Sequence, residues 1–322
     1  MASLTRTFEK IDHFGLPYKT RSFSKHSSQN MACCPPSALP YLAAQPVNNG
    51  SKKSIEGVEF YETGAASKAA IILFPDVWGW DSGRTRALAD AFADQGYRTY
   101  VPKVLQPAHK GGTDGDGLPP AFDLATQGEE FMGWITTVKW EAIEKQVRAL
   151  LAYAKAEGAT SFGVVSCCWG GWPCFETSAM TTGLCPASVV RPSPSVAAMA
   201  WDRTPSLTRH TTHCISRADV KCGVIFHPSC QIVGAHGGDP VALAGKVQAP
   251  HYFMPAGGDD PALYGPEGSL VKACPAGSKQ NSFTAMAHGW TSRGGASDLA
   301  VAEAIKLAMT EAIAYLKEHL PL

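Results

Sequence analysis

The twelve residues "GVVSCCWGGWPC" (Gly163–Cys174) end a β-branched run in two adjacent cysteines and follow them with Trp-Gly-Gly. A nucleophile at a sharp strand-to-helix turn needs small residues two positions before and two after it, because the backbone there leaves no room for a large side chain. Cys168 has Ser166 and Gly170 at those positions, with Gly171 behind; Cys167 has Val165 and Trp169. Only Cys168 fits the turn. A helix starting near Gly170 would aim its amino-terminal dipole at the Cys168 sulfur, favouring thiolate and any oxyanion formed beside it. Cys167 reads as a buried core thiol, the usual place of a free cysteine.

Outward from this stretch, short apolar runs bounded by Gly, Pro or Asp stand at 68–74, 97–102, 161–166, 220–229 and 250–258. Each predicts a buried parallel strand. Between them, residues 82–96 and 140–158 carry helical spacing and close on Gly96 and Gly158, and a last helix runs from near Ser297 to before Pro321. Strands alternating with helices predict an α/β fold, a mostly parallel central sheet flanked by helices on both faces, with its site at the carboxyl ends of the strands.

Residues 31–322 are expected to form one large domain. Residues 1–30, leaning to Ser, Lys and Arg, read as a disordered tail or a weak transit segment. Residues 103–126, rich in Gly, Asp and Pro, predict a long loop. Residues from about 180 to 216 show neither a strand nor a helix period and read as an irregular, mobile insertion, placed as a surface loop remote from the chemistry.

Composition narrows the partners. With 28 basic and 28 acidic residues the formal charge is zero, and no basic cluster offers a footprint for nucleic acid or an anionic membrane. No apolar run reaches the roughly 20 residues needed to span a bilayer. The expected location is the cytoplasm, or a mitochondrion or plastid if residues 1–30 act as a transit segment. The ten cysteines lie in adjacent or irregular pairs without a CxxC framework, so free thiols are expected and a structural zinc is not. His227, Cys230 and His236 approach a metal-like spacing but lack a fourth ligand; no metal is expected there.

Two further stretches bear on Cys168. "PHYFMPAGGDD" (250–260) reads as a strand ending in an acidic turn, and "FTAMAHGW" (283–290) as a strand ending at His288. A thiol, a carboxylate and an imidazole therefore follow one another, each after a predicted strand, in an order found in nucleophilic hydrolases.

On "DVWGW…RTRALADAFADQGYRTYVP", "SCCWGGW", "PHYFMPAGGDDP" and "HGW" the chain resembles the dienelactone hydrolase family of the α/β-hydrolase fold. Ser166 stands where the family usually has Gly, Lys103 where it tends to have an aspartate, and the 180–216 insertion is foreign to it. The resemblance implies a cofactor-free hydrolase, monomeric or homodimeric, that cleaves a small lactone or ester through an acyl-enzyme. It makes Cys168 the nucleophile and His288 the proton shuttle. Counting nine steps from Pro250 gives Asp259 as the imidazole's carboxylate; the family's Gly-x-x-Asp turn, read from Gly257, gives Asp260, which is preferred because turn geometry varies less than strand length. Asp76 matches an additional carboxylate, usually glutamate, that holds the resting thiol. The backbone N–H groups of Trp169 and Val77 would stabilise the oxyanion. Arg84 and Arg293 would bind a substrate carboxylate, and Trp290, with Trp78, Trp80, Trp169 and Trp172, stands near the expected pocket. A redox-sensing protein using Cys168 and Cys167 is the alternative.

Overall fold

The computed structural model describes residues 33–35, 37–46, 49–180 and 219–322. The expectations for residues 1–30 and for the insertion beyond Met180 lie outside the described residues.

Eight strands form one sheet: β1 (Ser51–Ile55), β2 (Val58–Thr63), β3 (Ala69–Phe74), β4 (Arg98–Pro102), β5 (Ser161–Cys167), β6 (Val220–Phe226), β7 (His251–Met254) and β8 (Lys279–Gln280). The helices are α1 (Thr85–Ala93), α2 (Gly128–Ile135), α3 (Trp140–Ala156), α4 (Gly171–Ala179), α5 (Pro240–Ala244), α6 (Pro261–Tyr264), α7 (Ser269–Ala273), α8 (Trp290–Arg293) and α9 (Leu299–His319). The strand order is β1-β2-β4-β3-β5-β6-β7-β8, antiparallel at β1–β2 and β2–β4 and parallel elsewhere.

The five apolar runs are β3 to β7. They read as strands because each is buried on both faces, which leaves no polar alternation. The β1–β2 hairpin escaped prediction because β1, "SKKSI", is almost wholly exposed and carries no apolar signal. Its turn places both Glu56 (φ 50°) and Gly57 (φ 79°) in the left-handed region, the backbone that suits a two-residue hairpin. The strand expected to end at His288 does not form. Phe283 makes a single bridge to Ala256, β8 is two residues long, and His288 lies in a loop.

Chain order decides where the site lies. From β3 the chain crosses through α1 to β4 on one side, then returns past β3 to β5 and continues outward through β6 and β7. The reversal opens a crevice at the carboxyl ends of β3 and β5. Those ends are level: Phe74 pairs with Ser166, Cys167 with Phe226, and Phe226 with Met254. Residues following these strands therefore converge.

Alternation along β5 assigns the two cysteines to different faces. Cys167 joins Val165 in the core under α1 and α9, whereas Cys168 follows Phe162 and Val164 into the core under α3 and α4. At the turn itself, a Cβ on Gly170 would lie 2.6 Å from the Phe74 carbonyl oxygen and 2.7 Å from that of Pro75. Backbone cannot yield as a flexible side chain can. Gly170→Ala is expected to lower the unfolding free energy by about 1–3 kcal/mol in urea denaturation. Gly133→Ala, inside α2 with nothing within 4 Å of the added carbon, should leave stability unchanged or raise it by up to about 1 kcal/mol.

Candidate active site

Cys168 occupies the left-handed region at φ 55°, between β5 and a single 3-10 turn, Cys168–Gly170, that leads into α4. A non-glycine residue is rarely found there, and persists only where its surroundings fix it. Here the backbone of Ser229, three residues beyond β6, donates to the Cys168 carbonyl at 3.1 Å. The Cys168 side chain is fully buried.

Three neighbours surround its sulfur. Cys34 Sγ lies at 3.2 Å, Ser229 Oγ at 3.5 Å and Cys33 Sγ at 3.9 Å, and His227, the first residue after β6, has its Nε2 2.7 Å from Thr291 Oγ1. Ser229 Oγ is in turn 3.4 Å from His288 Nε2, so one hydroxyl stands between imidazole and sulfur. His288 Nδ1 donates to Asp259 Oδ1 at 2.6 Å, with both side chains at most 1% exposed. The other Asp259 oxygen accepts the Ala256 N–H at 2.7 Å, folding the acid back into the turn after β7.

Asp260 does not make this contact. It is exposed and caps α6, accepting the Ala262 N–H at 2.8 Å ahead of Pro261. Asp followed by Pro is a helix-start signal in its own right, and that local role accounts for the second acid of the pair.

Electrostatics couples these groups. Burial opposes ionisation of the Cys168 thiol, yet hydrogen bonds from Cys33 and Cys34, the nearby His288 charge and the His227 contact hold it well below the ordinary thiol range. Burial likewise opposes a charge on His288, and the Cys168 and Asp259 charges overcome it, raising the imidazole well above its usual value. A thiol lowered and an imidazole raised favour the charged pair over the neutral one. Cys167, in contrast, is pushed well up by burial and then by the Asp76 charge, and stays protonated.

Asp76 lies just past β3 but does not hold the Cys168 thiol. Its Oδ1 accepts the Trp78 N–H at 2.9 Å, and its Oδ2 accepts Ser292 Oγ at 2.7 Å and pairs with the buried Arg293 guanidinium. An aspartate is one methylene shorter than the glutamate that the resemblance leads one to expect, and two donors from α8 claim it. Arg293 Nε also reaches the Leu39 carbonyl at 3.0 Å, while its Nη2 is buried without a hydrogen-bond partner. Arg84 is spent on the carbonyls of Gly294 and Thr291. Trp290 is fully buried against Phe283, ring centroids 4.5 Å apart, and packs rather than facing a pocket. Trp169 follows Cys168 in the 3-10 turn, and Val77 lies three residues past β3; Gly170 closely approaches the Phe74 and Pro75 carbonyls, so the turn after β5 lies against the end of β3.

Ser229, Cys33 and Cys34 carried no legible sequence signal for the site: Ser229 is an ordinary residue past a strand end, and the Cys33-Cys34 pair precedes the sheet. His227, read from sequence as a strand-end or core histidine, is buried just past β6 and bonded to Thr291. The segment bearing that pair crosses the site, with the Leu39 N–H on the His288 carbonyl at 2.8 Å and the Gly83 N–H on the Leu42 carbonyl at 2.8 Å.

With this geometry in view, comparison with known proteins is informative. Residues 55–191 match the model of the dienelactone hydrolase family. Over those residues the chain is similar to the dienelactone hydrolases. A carboxymethylenebutenolidase homolog of Rattus norvegicus is 31% identical over 125 residues, 38% of this chain and 46% of that protein, and its Homo sapiens counterpart is 30% identical over 125 residues with the same coverage. The chain thus matches a little under half the length of these relatives. Among solved structures, a putative dienelactone hydrolase from Klebsiella pneumoniae superposes with a TM-score of 0.51 at 15% identity, covering 83% of this chain and 97% of the other. An acylaminoacyl peptidase from Pyrococcus horikoshii gives a TM-score of 0.51 at 13% identity over 85% of this chain and 42% of its own. These likenesses establish the α/β-hydrolase fold.

Among the described residues no helix is long and apolar enough to cross a membrane, and all eight described cysteines are free thiols. The ultraviolet absorbance of thiolate, taken as the difference between wild type and Cys168→Ser, should titrate well below the ordinary thiol range. Asp259→Asn should shift that titration upward by removing the charge that keeps His288 protonated, and Asp260→Asn should leave it in place.

Proposed function

We propose that this protein hydrolyses a small lactone or ester through a Cys168–His288–Asp259 triad and an acyl-enzyme on Cys168. The observation that carries the reading is the 2.6 Å bond from Asp259 to a buried His288 beside a cysteine in the left-handed backbone of a strand-to-helix turn.

The Cys168 thiolate attacks the substrate carbonyl, and the new oxyanion is met by the N–H groups of Trp169 and Val77, one such donor contributing on the order of 3 kcal/mol to the barrier. The tetrahedral adduct collapses to a thioester as the alkoxide or enolate departs, taking the proton from His288 Nε2. His288, now neutral, draws a proton from water, whose oxygen attacks the thioester and releases acid and thiolate. Asp259 keeps Nδ1 protonated throughout and stabilises the imidazolium. Ser229, placed between His288 and Cys168, is suited to relay the proton or orient the water. The scheme calls for no metal or cofactor.

A low-pKa thiolate is itself a good leaving group, which favours substrates whose own leaving group is stabilised, such as enol lactones and aryl esters, over amides. The unpaired Nη2 of Arg293 supports a substrate carboxylate beside the Asp76 pair. Because Cys168 and His288 are fully buried, the segment carrying Cys33 and Cys34 must shift to admit substrate. The redox reading built on Cys168 with Cys167 is the weaker one, since their sulfurs pack on opposite faces of the sheet.

Against a panel of lactones and aryl esters, Cys168→Ala should lower kcat/KM by at least ~10^4-fold, and Asp259→Asn by roughly 10^3 to 10^4-fold. Asp260→Asn and Cys167→Ala should stay within about threefold of wild type, as substitutions remote from the reacting atoms do. Turnover that survives Cys168→Ala but not Cys167→Ala would reverse the assignment.

A further inference from the structure

The sulfurs of Cys33, Cys34 and Cys168 all lie within 4.8 Å of one another, with two of the separations 3.2 and 3.9 Å. Two of these thiols come from the chain ahead of β1 and one from the turn after β5, so the cluster joins segments about 135 residues apart. Neither Cys33 nor Cys34 makes or breaks a bond in the triad chemistry, although their hydrogen bonds favour the Cys168 thiolate. Nor does core packing demand two thiols here, since a thiol against a thiol gains little over a methyl.

We propose that Cys33, Cys34 and Cys168 form a binding site for one Cu(I) ion, held by three sulfurs. A cation about 2.3 Å from three coplanar sulfurs sets them about 4.0 Å apart, close to the 3.9 Å of Cys33–Cys168, longer than the 3.2 Å of Cys34–Cys168 and inside the 4.8 Å that contains all three. Thiolate ligands select soft ions. The coordination number then selects among those ions. A closed zinc site almost always has four ligands, and among the described residues no histidine, cysteine or carboxylate completes the cluster to four. Cu(I), soft and content with three donors, fits.

The surroundings also fit the charge. A monovalent ion with three thiolates carries two negative charges, and the two cations facing Cys168 and Cys34 are His288 and Arg293. Asp259 and Asp76 are the acids on these cations, and each is already paired. Binding is written as Cu(I) plus one thiolate and two thiols giving the trithiolate complex and two protons. Because thiols give up protons when they bind a metal ion, affinity rises with pH. The half-buried Cys34 gives the ion its way in. Bound there, it fastens the overlying segment to the turn and occupies the sulfur that attacks substrate.

The inference rests on the position of the Cys168 sulfur and not on its reactivity, so a failure of the hydrolase reading leaves it standing. The test is anaerobic titration of the full chain with Cu(I) against bicinchoninate, with copper K-edge absorption on the loaded protein. The expected result is one Cu(I) per chain with three sulfur scatterers near 2.3 Å. Cys33→Ser and Cys34→Ser should each weaken binding at least ~100-fold, while Cys230→Ser, a buried thiol outside the cluster, binds as wild type does. Thermal melting of each variant separates lost binding from lost folding, and Cys34→Ala provides a second route if the serine is not tolerated. If wild type turns over an activated ester, equimolar Cu(I) should abolish it and excess chelator restore it; if it does not, the binding data stand alone. Binding unaffected by both substitutions, a histidine nitrogen in place of one sulfur, or a Cys34–Cys168 disulfide, seen as a chain lighter by two hydrogens, would each overturn the proposal.

Discussion

The left-handed backbone at Cys168 is the constraint from which the rest of the site follows. It turns the chain out of β5 sharply enough that the sulfur stands at the head of α4 rather than in the sheet. That turn is possible only because position 170 has no side chain to strike the carbonyls of Phe74 and Pro75. Strain of this kind costs on the order of 1–3 kcal/mol and persists where neighbours over-determine it. Here β3 on one side, and the Ser229 N–H on the Cys168 carbonyl from the other, do so.

Burial then makes the electrostatics consequential. Burial disfavours a lone thiolate or a lone imidazolium in this core, and the charge of each favours the charge of the other. Asp259 anchors the pair by accepting a short hydrogen bond from His288 Nδ1–H, while its second oxygen accepts the backbone N–H of its own turn. An acid held at both oxygens cannot swing away when the imidazole changes charge. Asp76 and Arg293 form a second buried pair nearby, and that pair, rather than Cys168, fixes Asp76.

The central strands and the cysteine that stands at the strand-to-helix turn were legible because both follow from short-range rules: uninterrupted apolar runs for strands buried on both faces, and steric limits two residues either side of a turn. The choice between Asp259 and Asp260 was not, since both lie on one turn and only the long-range position of His288 separates them. Local chemistry pointed the wrong way, because the Asp-Pro pair that looks like the end of a functional turn is a helix cap. His288 was found by its place in chain order, although the strand expected to deliver it is a loop. The approach of Cys33 and Cys34 had no local signature at all. It depends on a segment more than 130 residues distant being laid across the finished sheet.

That the fold also appears in an acylaminoacyl peptidase shows that the scaffold does not choose the chemistry. The chemistry proposed for this chain rests on a buried sulfur and imidazole joined through Ser229. Its central claim is that Cys168 bears the acyl group. The most direct measurement is intact and peptide mass spectrometry of the protein quenched in acid within milliseconds of mixing with an aryl ester. The account predicts one acyl group per chain, on the peptide containing Cys167 and Cys168 in wild type and in Cys167→Ala, and absent in Cys168→Ala. An acyl group found instead on Cys34 or Cys167, or ester turnover with no acylated cysteine, would contradict it.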